Sequence, residues 1–433
     1  MGGVRAAPPT THTHRRSTEL SPIDESRPTE RPPLAIESCI IMTLPTFTPT
    51  ATTSTSTTTT STPTIASITP YPLRLRTDYA EMTLFLVRVE TTDGVVGWGE
   101  SCDSFGISYP TVLARFVEDV WAPVASGMSS AAALTALGTK RRAVARTLGF
   151  SHSAAQSLSA VDIAIRDAQA RAAGVSLSPI EGRVSERLRV YAGNSHFLES
   201  RDAGGHVELL APLLERGVSM VKMRIGPDWR SAMRVLTDLR TEMLDIDLMV
   251  DGSELFSVAE SLEMAVRLAD LRVSWFEEPV SAARLPAIAR IAAASPVPVA
   301  YGEHLFSTEH MLDTMDAAAI SVVQPDASIC GGMAEADLMA RTALGRGARV
   351  VMHTHGSPVT FAANAIVASA IPGIDLIEYP FHLSPMLERV APGAGFGVTS
   401  IVDGTIAVPT GPGLGIDVDV DVIEAGRRAF LDS

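Results

Sequence analysis

The chain has 433 residues, 46% hydrophobic and 19% charged, with a formal net charge of −14 at pH 7. These proportions describe a globular protein with room for two or three domains, or for one barrel of about 250 residues with a smaller companion. The acid excess excludes a non-specific nucleic-acid surface, which needs clustered Lys and Arg, and no eighteen-residue apolar run exists to cross a bilayer as a helix. The expected partner is a small molecule or a cation held by carboxylates, with no nucleic acid and no membrane. Cys39, Cys102 and Cys330 are too far apart for a disulfide framework or a zinc spacing, which suits a reducing cytoplasm.

Residues 1–64 are Pro-rich, basic at Arg15 and Arg16, and end in a Ser/Thr run, a composition that predicts a disordered tail. Strand patterns follow at 68–76, 83–90 and 95–100, the last two joined by Thr92-Asp93-Gly94, which reads as a hairpin turn. Helical periodicity then runs over 111–124, 131–148 and 153–173, stopped by Gly174. Strands followed by helices predict an α+β domain over 65–182.

The rhythm then changes. Short apolar strands at 188–192, 219–225, 248–250, 274–276, 297–301, 320–323, 349–352 and 376–377 alternate with helical stretches. Eight such strands over 183–400 predict a closed α/β barrel of the TIM type. An open dinucleotide-binding sheet would carry Gly-x-Gly-x-x-Gly after a strand, and none is present. Residues 401–433 are expected to form a C-terminal segment returning to the first domain.

In such barrels the chemistry sits at the C-terminal ends of the strands, and here those ends are ionisable: Lys222 and Arg224, Asp251, Glu277-Glu278, Glu303-His304, Asp326, His353 and His355, and Glu378. Asp251, Glu277 and Glu303 are spaced 26 residues apart, about one βα repeat. Three acids crowded at one mouth are tolerated when a divalent cation lies between them, and an all-oxygen set favours Mg²⁺ over zinc.

Val221-Lys222-Met223-Arg224-Ile225-Gly226, Trp275-Phe276-Glu277-Glu278-Pro279, Gly302-Glu303, Gln324-Pro325-Asp326, Gly331-Gly332 and Pro412-Gly413-Leu414-Gly415-Ile416 together resemble the mandelate racemase and muconate lactonizing enzyme branch of the enolase superfamily. The resemblance covers residues 66 to about 420. It implies an N-terminal capping domain over a modified (β/α)₇β barrel, with metal ligands at Asp251, Glu277 and Glu303. Asp326 and His353 resemble the Asp-His dyad of the mandelate racemase subgroup, in which the carboxylate fixes the imidazole tautomer and raises its basicity. His355 shares the strand face of His353, so the residues alone leave either as the base; the resemblance selects His353. Where the family usually shows Lys-x-Lys, Arg224 replaces the second Lys, and guanidinium is a poor proton acceptor. Two-base racemisation is therefore disfavoured, and Lys222 with Arg224 is expected to bind the substrate carboxylate or enolate. Glu378 resembles the acid that hydrogen-bonds the enolate oxygen.

Asp78, Tyr79, Asp103 and Phe105, in two loops that correspond to substrate-selecting loops of the resembled family, are candidates for contacting substrate, as are His304 and His355. The expected activity is Mg²⁺-dependent dehydration of a hydroxy or sugar acid. A racemase, epimerase or sugar-lactone cycloisomerase is the alternative, and a catalytically silent metal-binding barrel the non-enzymatic rival. A cytoplasmic homo-oligomer is expected.

Overall fold

The computed structural model describes residues 63–76, 81–101, 109–178 and 184–433, apart from the side chains of Asn194 and Ser195. All but the last two residues of the predicted tail lie outside them, as do Asp78, Tyr79, Asp103 and Phe105.

Strands β1 (Ile65–Arg76), β2 (Glu81–Thr91) and β3 (Val96–Ser101) form an antiparallel sheet in the order β1-β2-β3. Gly94, at φ +84°, closes the turn between β2 and β3 by donating its N–H to the Thr91 carbonyl at 2.9 Å; the left-handed conformation is what the Asp-Gly pair supplies. The apolar run in β2 splits by the strand period of two. Leu84 and Leu86 join the large core shared with the barrel, whereas Phe85, Val87 and Val89 pack with the helices that follow. Those helices are α1 (Pro110–Phe116), continued through a π turn into α2 (Ala122–Ala125), then α3 (Ser130–Thr147) and α4 (His152–Ala172). Helix α4 lies directly on β3 because Gly97 and Gly99 have no side chains: a Cβ at Gly99 would collide with the Ala160 carbonyl, and one at Gly97 with that of Ala164.

The second sheet is a ring of parallel strands: β4 (Arg187–Phe197), β5 (Met220–Arg224), β6 (Asp247–Asp251), β7 (Phe276–Glu277), β8 (Val299–Tyr301), β9 (Val322–Val323), β10 (Arg349–Val350) and β11 (Leu376–Pro380). Between successive strands run α5 (Ala203–Leu214), α6 (Trp229–Glu242), α7 (Val258–Asp270), α8 (Leu285–Ala294), α9 (Thr308–Ala317), α10 (Met333–Gly345) and α11 (Pro358–Ser369). Seven βα units and a final strand are the (β/α)₇β arrangement. β11 pairs with β4, and the ring closes where Met352 bridges Ile377 and the Glu378 N–H donates to the Met352 carbonyl at 3.0 Å. Inside, one side chain from each strand or its immediate end, from Tyr191 and Met220 round to Val351 and Leu376, forms a single buried layer. After α12 (Ser384–Val390), strand β12 (Thr405–Ala407) adds antiparallel to β4, and α13 (Val420–Leu431) packs on β1, with the Arg427 guanidinium 4.1 Å from the Tyr71 ring centre. No helix among the described residues is long and apolar enough to cross a membrane.

Glu100, near the end of β3, is fully buried and reaches the N-terminus of α11. Its carboxyl accepts the Ser357 N–H at 2.9 and 3.1 Å, the Ser357 hydroxyl at 2.6 Å, and the Thr360 N–H and hydroxyl at 3.1 and 2.8 Å. Burial pushes this carboxyl up to about 7 despite those bonds. An acid raised on folding binds more protons in the native state, so its contribution is full below its unfolded value and lost as pH rises through about 7. Wild type should therefore lose roughly 3 kcal/mol relative to Glu100→Gln between pH 4.5 and 8, read by urea unfolding at each pH; parallel profiles would contradict this.

Candidate active site

The strand register brings the ionisable ends together. Arg224 lies beside Asp251, Asp251 beside Glu277, and Glu378 beside Tyr191. Asp251 and Glu277 are almost wholly buried, and Glu303 follows β8 by two residues. Each acid is held by a side-chain cation. Lys222 Nζ donates to Glu277 Oε1 at 2.7 Å and lies 3.0 and 3.1 Å from the Glu378 oxygens. Arg224 contacts Asp251 Oδ2 through Nε and Nη2 at 3.2 and 3.1 Å. His353 Nε2 is 3.1 Å from Glu303 Oε2. Ser253 donates its N–H and hydroxyl to Asp251 Oδ1 at 2.7 and 3.2 Å.

Burial and mutual repulsion set the electrostatics. Burial raises Glu277 to about 6; Lys222 opposes the rise, and Asp251, Glu378 and Glu303 add to it. Burial would lower Lys222, but Glu277 and Glu378 hold its ammonium well above the usual lysine range. Burial would likewise raise Glu303, yet the charge and hydrogen bond of His353 hold it well below the usual carboxylate range.

His353 Nδ1 meets Asp326 Oδ2 at 2.8 Å. The other oxygen, Oδ1, accepts the Ser328 N–H, the Ser328 hydroxyl and the Asn364 amide N–H, at 2.7, 2.7 and 2.8 Å. With Oδ1 so filled, Oδ2 faces the imidazole and fixes the Nδ1–H tautomer, leaving Nε2 for chemistry. Against burial, Glu303 and Asp326 raise His353 well above the ordinary histidine value. His355 differs: its Nε2 lies 3.2 Å from His382 Nε2, the rings stack, and burial with nearby cationic groups holds it well below the ordinary value.

Glu378 Oε2 accepts the Tyr191 hydroxyl at 3.0 Å. Gly193 makes room for that carboxyl, since a Cβ there would overlap Glu378 Oε1. His304 does not stand alone as a loop residue: its Nδ1 lies 2.6 Å from Glu278 Oε2, and its side chain is one third exposed.

Tyr191, Trp275, Gln324, Asn364, Glu100 and His382 received no role from the sequence. Trp275 donates its indole N–H to Glu277 Oε2 at 3.3 Å, and the Gln324 amide donates to the same oxygen at 2.6 Å. Both residues stand in segments that carried the family resemblance, Trp275-Phe276-Glu277 and Gln324-Pro325-Asp326. Tyr191 and Asn364 offered no signal, being a core-like aromatic in an apolar strand and one amide in an apolar helix.

Asp251, Glu277 and Glu303 fit a hard divalent ion. The donor set is all oxygen, spread over three adjacent strand ends, with Asp251 and Glu277 deeply buried and Glu303 partly so, and each acid has drawn a cationic partner from Arg224, Lys222 and His353. The Gln324 amide oxygen, buried beside them, has no hydrogen-bond partner. Just past the same three strand ends, Glu254, Glu278 and His304 bring one ligand atom each within 4.8 Å of one another.

The family model described as Enolase C-terminal domain-like matches residues 206–422, and that of the mandelate racemase/muconate lactonizing enzyme N-terminal domain matches residues 55–182. The chain belongs to the mandelate racemase/muconate lactonizing enzyme family of the enolase superfamily. It is 29% identical to D-galactarolactone cycloisomerase of Agrobacterium fabrum over 368 residues, covering 79% of this chain and 90% of that protein. It is 26% identical to D-gluconate dehydratase of Thermoproteus tenax over 79% of this chain and 69% of the relative. Among solved structures, a member of the enolase superfamily from Polaromonas sp. JS666 superposes with a TM-score of 0.73 at 25% identity, covering 84% of this chain and 97% of that one. The 3,6-anhydro-D-galactonate cycloisomerase from Zobellia galactanivorans shares the fold, with a TM-score of 0.72 at 22% identity over 84% and 99% of the two chains.

Proposed function

We propose that the protein is a Mg²⁺-dependent acid-sugar dehydratase in which His353 removes the proton α to a carboxylate. The observation that carries this reading is the position of His353: Nδ1 on Asp326 and Nε2 turned to Glu303, one of the three acids. Asp251, Glu277 and Glu303 would hold the ion, which when bound would supply the Lewis acidity that makes the α-carbon acidic enough to deprotonate at neutral pH.

The protein's own groups do the rest. Arg224 and Lys222 offer positive charge to the substrate carboxylate. His353 Nε2 takes the α-proton, and the C–H electron pair moves into an enediolate, whose oxygens face Lys222 and Glu378. Those electrons then form the Cα–Cβ double bond as the β-carbon–oxygen bond breaks. The departing hydroxyl collects the proton from His353 and leaves as water, and the enol becomes a 2-keto-3-deoxy acid. The names of the relatives, among them D-gluconate dehydratase and arabinonate dehydratase, support a polyhydroxy acid as substrate. We take 65–182 as the capping domain, 183–400 as the catalytic barrel and 401–433 as the returning segment.

The similarity to D-galactarolactone cycloisomerase favours a second reading in which the same enediolate expels a lactone oxygen, opening a ring without losing water. Product mass separates the two. Screening aldonic, uronic and aldaric acids and their lactones with Mg²⁺ should give a product lighter by one water that forms a semicarbazone. EDTA should abolish turnover and Mg²⁺ restore it. Unchanged mass points to the isomerase, and no turnover across the panel overturns both in favour of a silent metal-binding barrel.

A further inference from the structure

Helix α11 carries three buried polar residues along one face, Ser357 at its N-cap, then Thr360 and Asn364 one turn apart. The first two receive Glu100 from the capping sheet, through the bonds described above. The third grips the loop after β9: its amide N–H reaches Asp326 Oδ1 at 2.8 Å, and its amide oxygen accepts the Ala327 N–H at 2.8 Å. The far side of that loop is pinned from the capping domain too, since the Gly331 N–H donates to Ser159 and the Met333 N–H to Asp162, both on α4, at 2.8 and 3.0 Å. A buried amide that donates to a carboxylate and accepts from the backbone N–H of the very next residue has a fixed orientation, and it fixes its partner in turn.

We propose that Asn364 and Glu100 are positioning residues for proton transfer: Asn364 aims the Asp326 carboxylate at His353, and Glu100 seats the helix that carries Asn364 against the capping domain. Asn364 touches neither the expected substrate nor the expected ion; it acts through Asp326. Glu100 acts through the helix. One helix therefore links the end of the capping sheet, at Glu100, to the carboxylate that faces the imidazole. The inference rests on His353 being the base, and its first test needs no substrate.

In protein labelled with ¹⁵N-histidine and loaded with Mg²⁺, the His353 Nδ1–H held by Asp326 should give a downfield, slowly exchanging proton resonance, assigned by its loss in His353→Asn. Asn364→Leu should erase or broaden it. On the acid that wild type turns over, the same variant should lower kcat on the order of 10- to 100-fold with KM nearly unchanged, and raise the kinetic isotope effect of α-deuterated substrate. Glu100→Ala should act in the same direction with smaller size, and Glu100→Gln should restore most of the loss because its amide oxygen still accepts from Ser357 and Thr360. If Asn364→Leu does not fold, Asn364→Asp keeps the shape and the acceptor for Ala327 but sets an acid against Asp326, and should disturb the same resonance. A resonance missing from wild type, or one unchanged in the Asn364 variants while only stability falls, overturns the proposal. Loss of the resonance in Asn364→Leu, in a protein that turns over no acid, upholds the positioning and sinks the dehydratase reading instead.

Discussion

His353→Asn is expected to leave the fold intact and to lower kcat by about 10²- to 10⁴-fold, the range over which a positioned general base contributes. Asparagine keeps a donor for Asp326 Oδ2, so the buried carboxylate is not stranded. What disappears is Nε2, the nitrogen turned towards Glu303. The Glu303 carboxylate beside Nε2 raises His353 well above the ordinary histidine value, and a cation bound by that acid would relieve the rise. The dependence on a divalent ion and the dependence on His353 should thus fall together. Turnover and α-deuterium exchange into D₂O are the measurements. Activity at wild-type level in this variant would move the base to another group. His355 is a weak replacement, since it is stacked on His382 and held well below the ordinary histidine value by burial and neighbouring cations.

Lys222→Met should be the most damaging substitution for stability. Lys222 is the common partner of Glu277 and Glu378, both buried, and methionine fills its stem while removing the charge. Breaking one side of a buried ion pair costs about 3–5 kcal/mol, because the remaining charges keep their desolvation and lose their partner. Urea unfolding at neutral pH reads the loss, and Mg²⁺ should return part of it by supplying positive charge to Glu277. Unfolding midpoints equal to wild type, with and without Mg²⁺, would mean that the acids do not share a charge network.

Much of this site was legible before any coordinates. The residues that close each barrel strand are fixed by periodicity, so Lys222, Asp251, Glu277, Asp326, His353 and Glu378 could be read as facing one mouth, and the register of β5, β6 and β7 places Arg224, Asp251 and Glu277 side by side. His353 and His355, equal by strand period, differ in their partners, Asp326 for one and His382 for the other, and the proposed base is the one that faces a carboxylate. What the sequence hid were groups whose role depends on distant segments. Glu100 and Ser357 are 257 residues apart, and Tyr191 and Glu378 are 187 apart. No local pattern distinguishes a tyrosine that fills a core from one that also holds a carboxyl. The pairing of His304 with Glu278 was invisible for a related reason: the residue after a strand end points where the loop takes it, and Glu278 adopts the unusual φ of +38°.

The most direct test is to find the ion. In crystals soaked with Mn²⁺ in place of Mg²⁺, the anomalous map is expected to show a peak within coordination distance of oxygens from Asp251, Glu277 and Glu303, with Lys222 and Arg224 displaced or re-paired around it. A map with no density there, or with its peak among Glu254, Glu278 and His304 alone, would contradict the assignment of those three acids and the chemistry built on them.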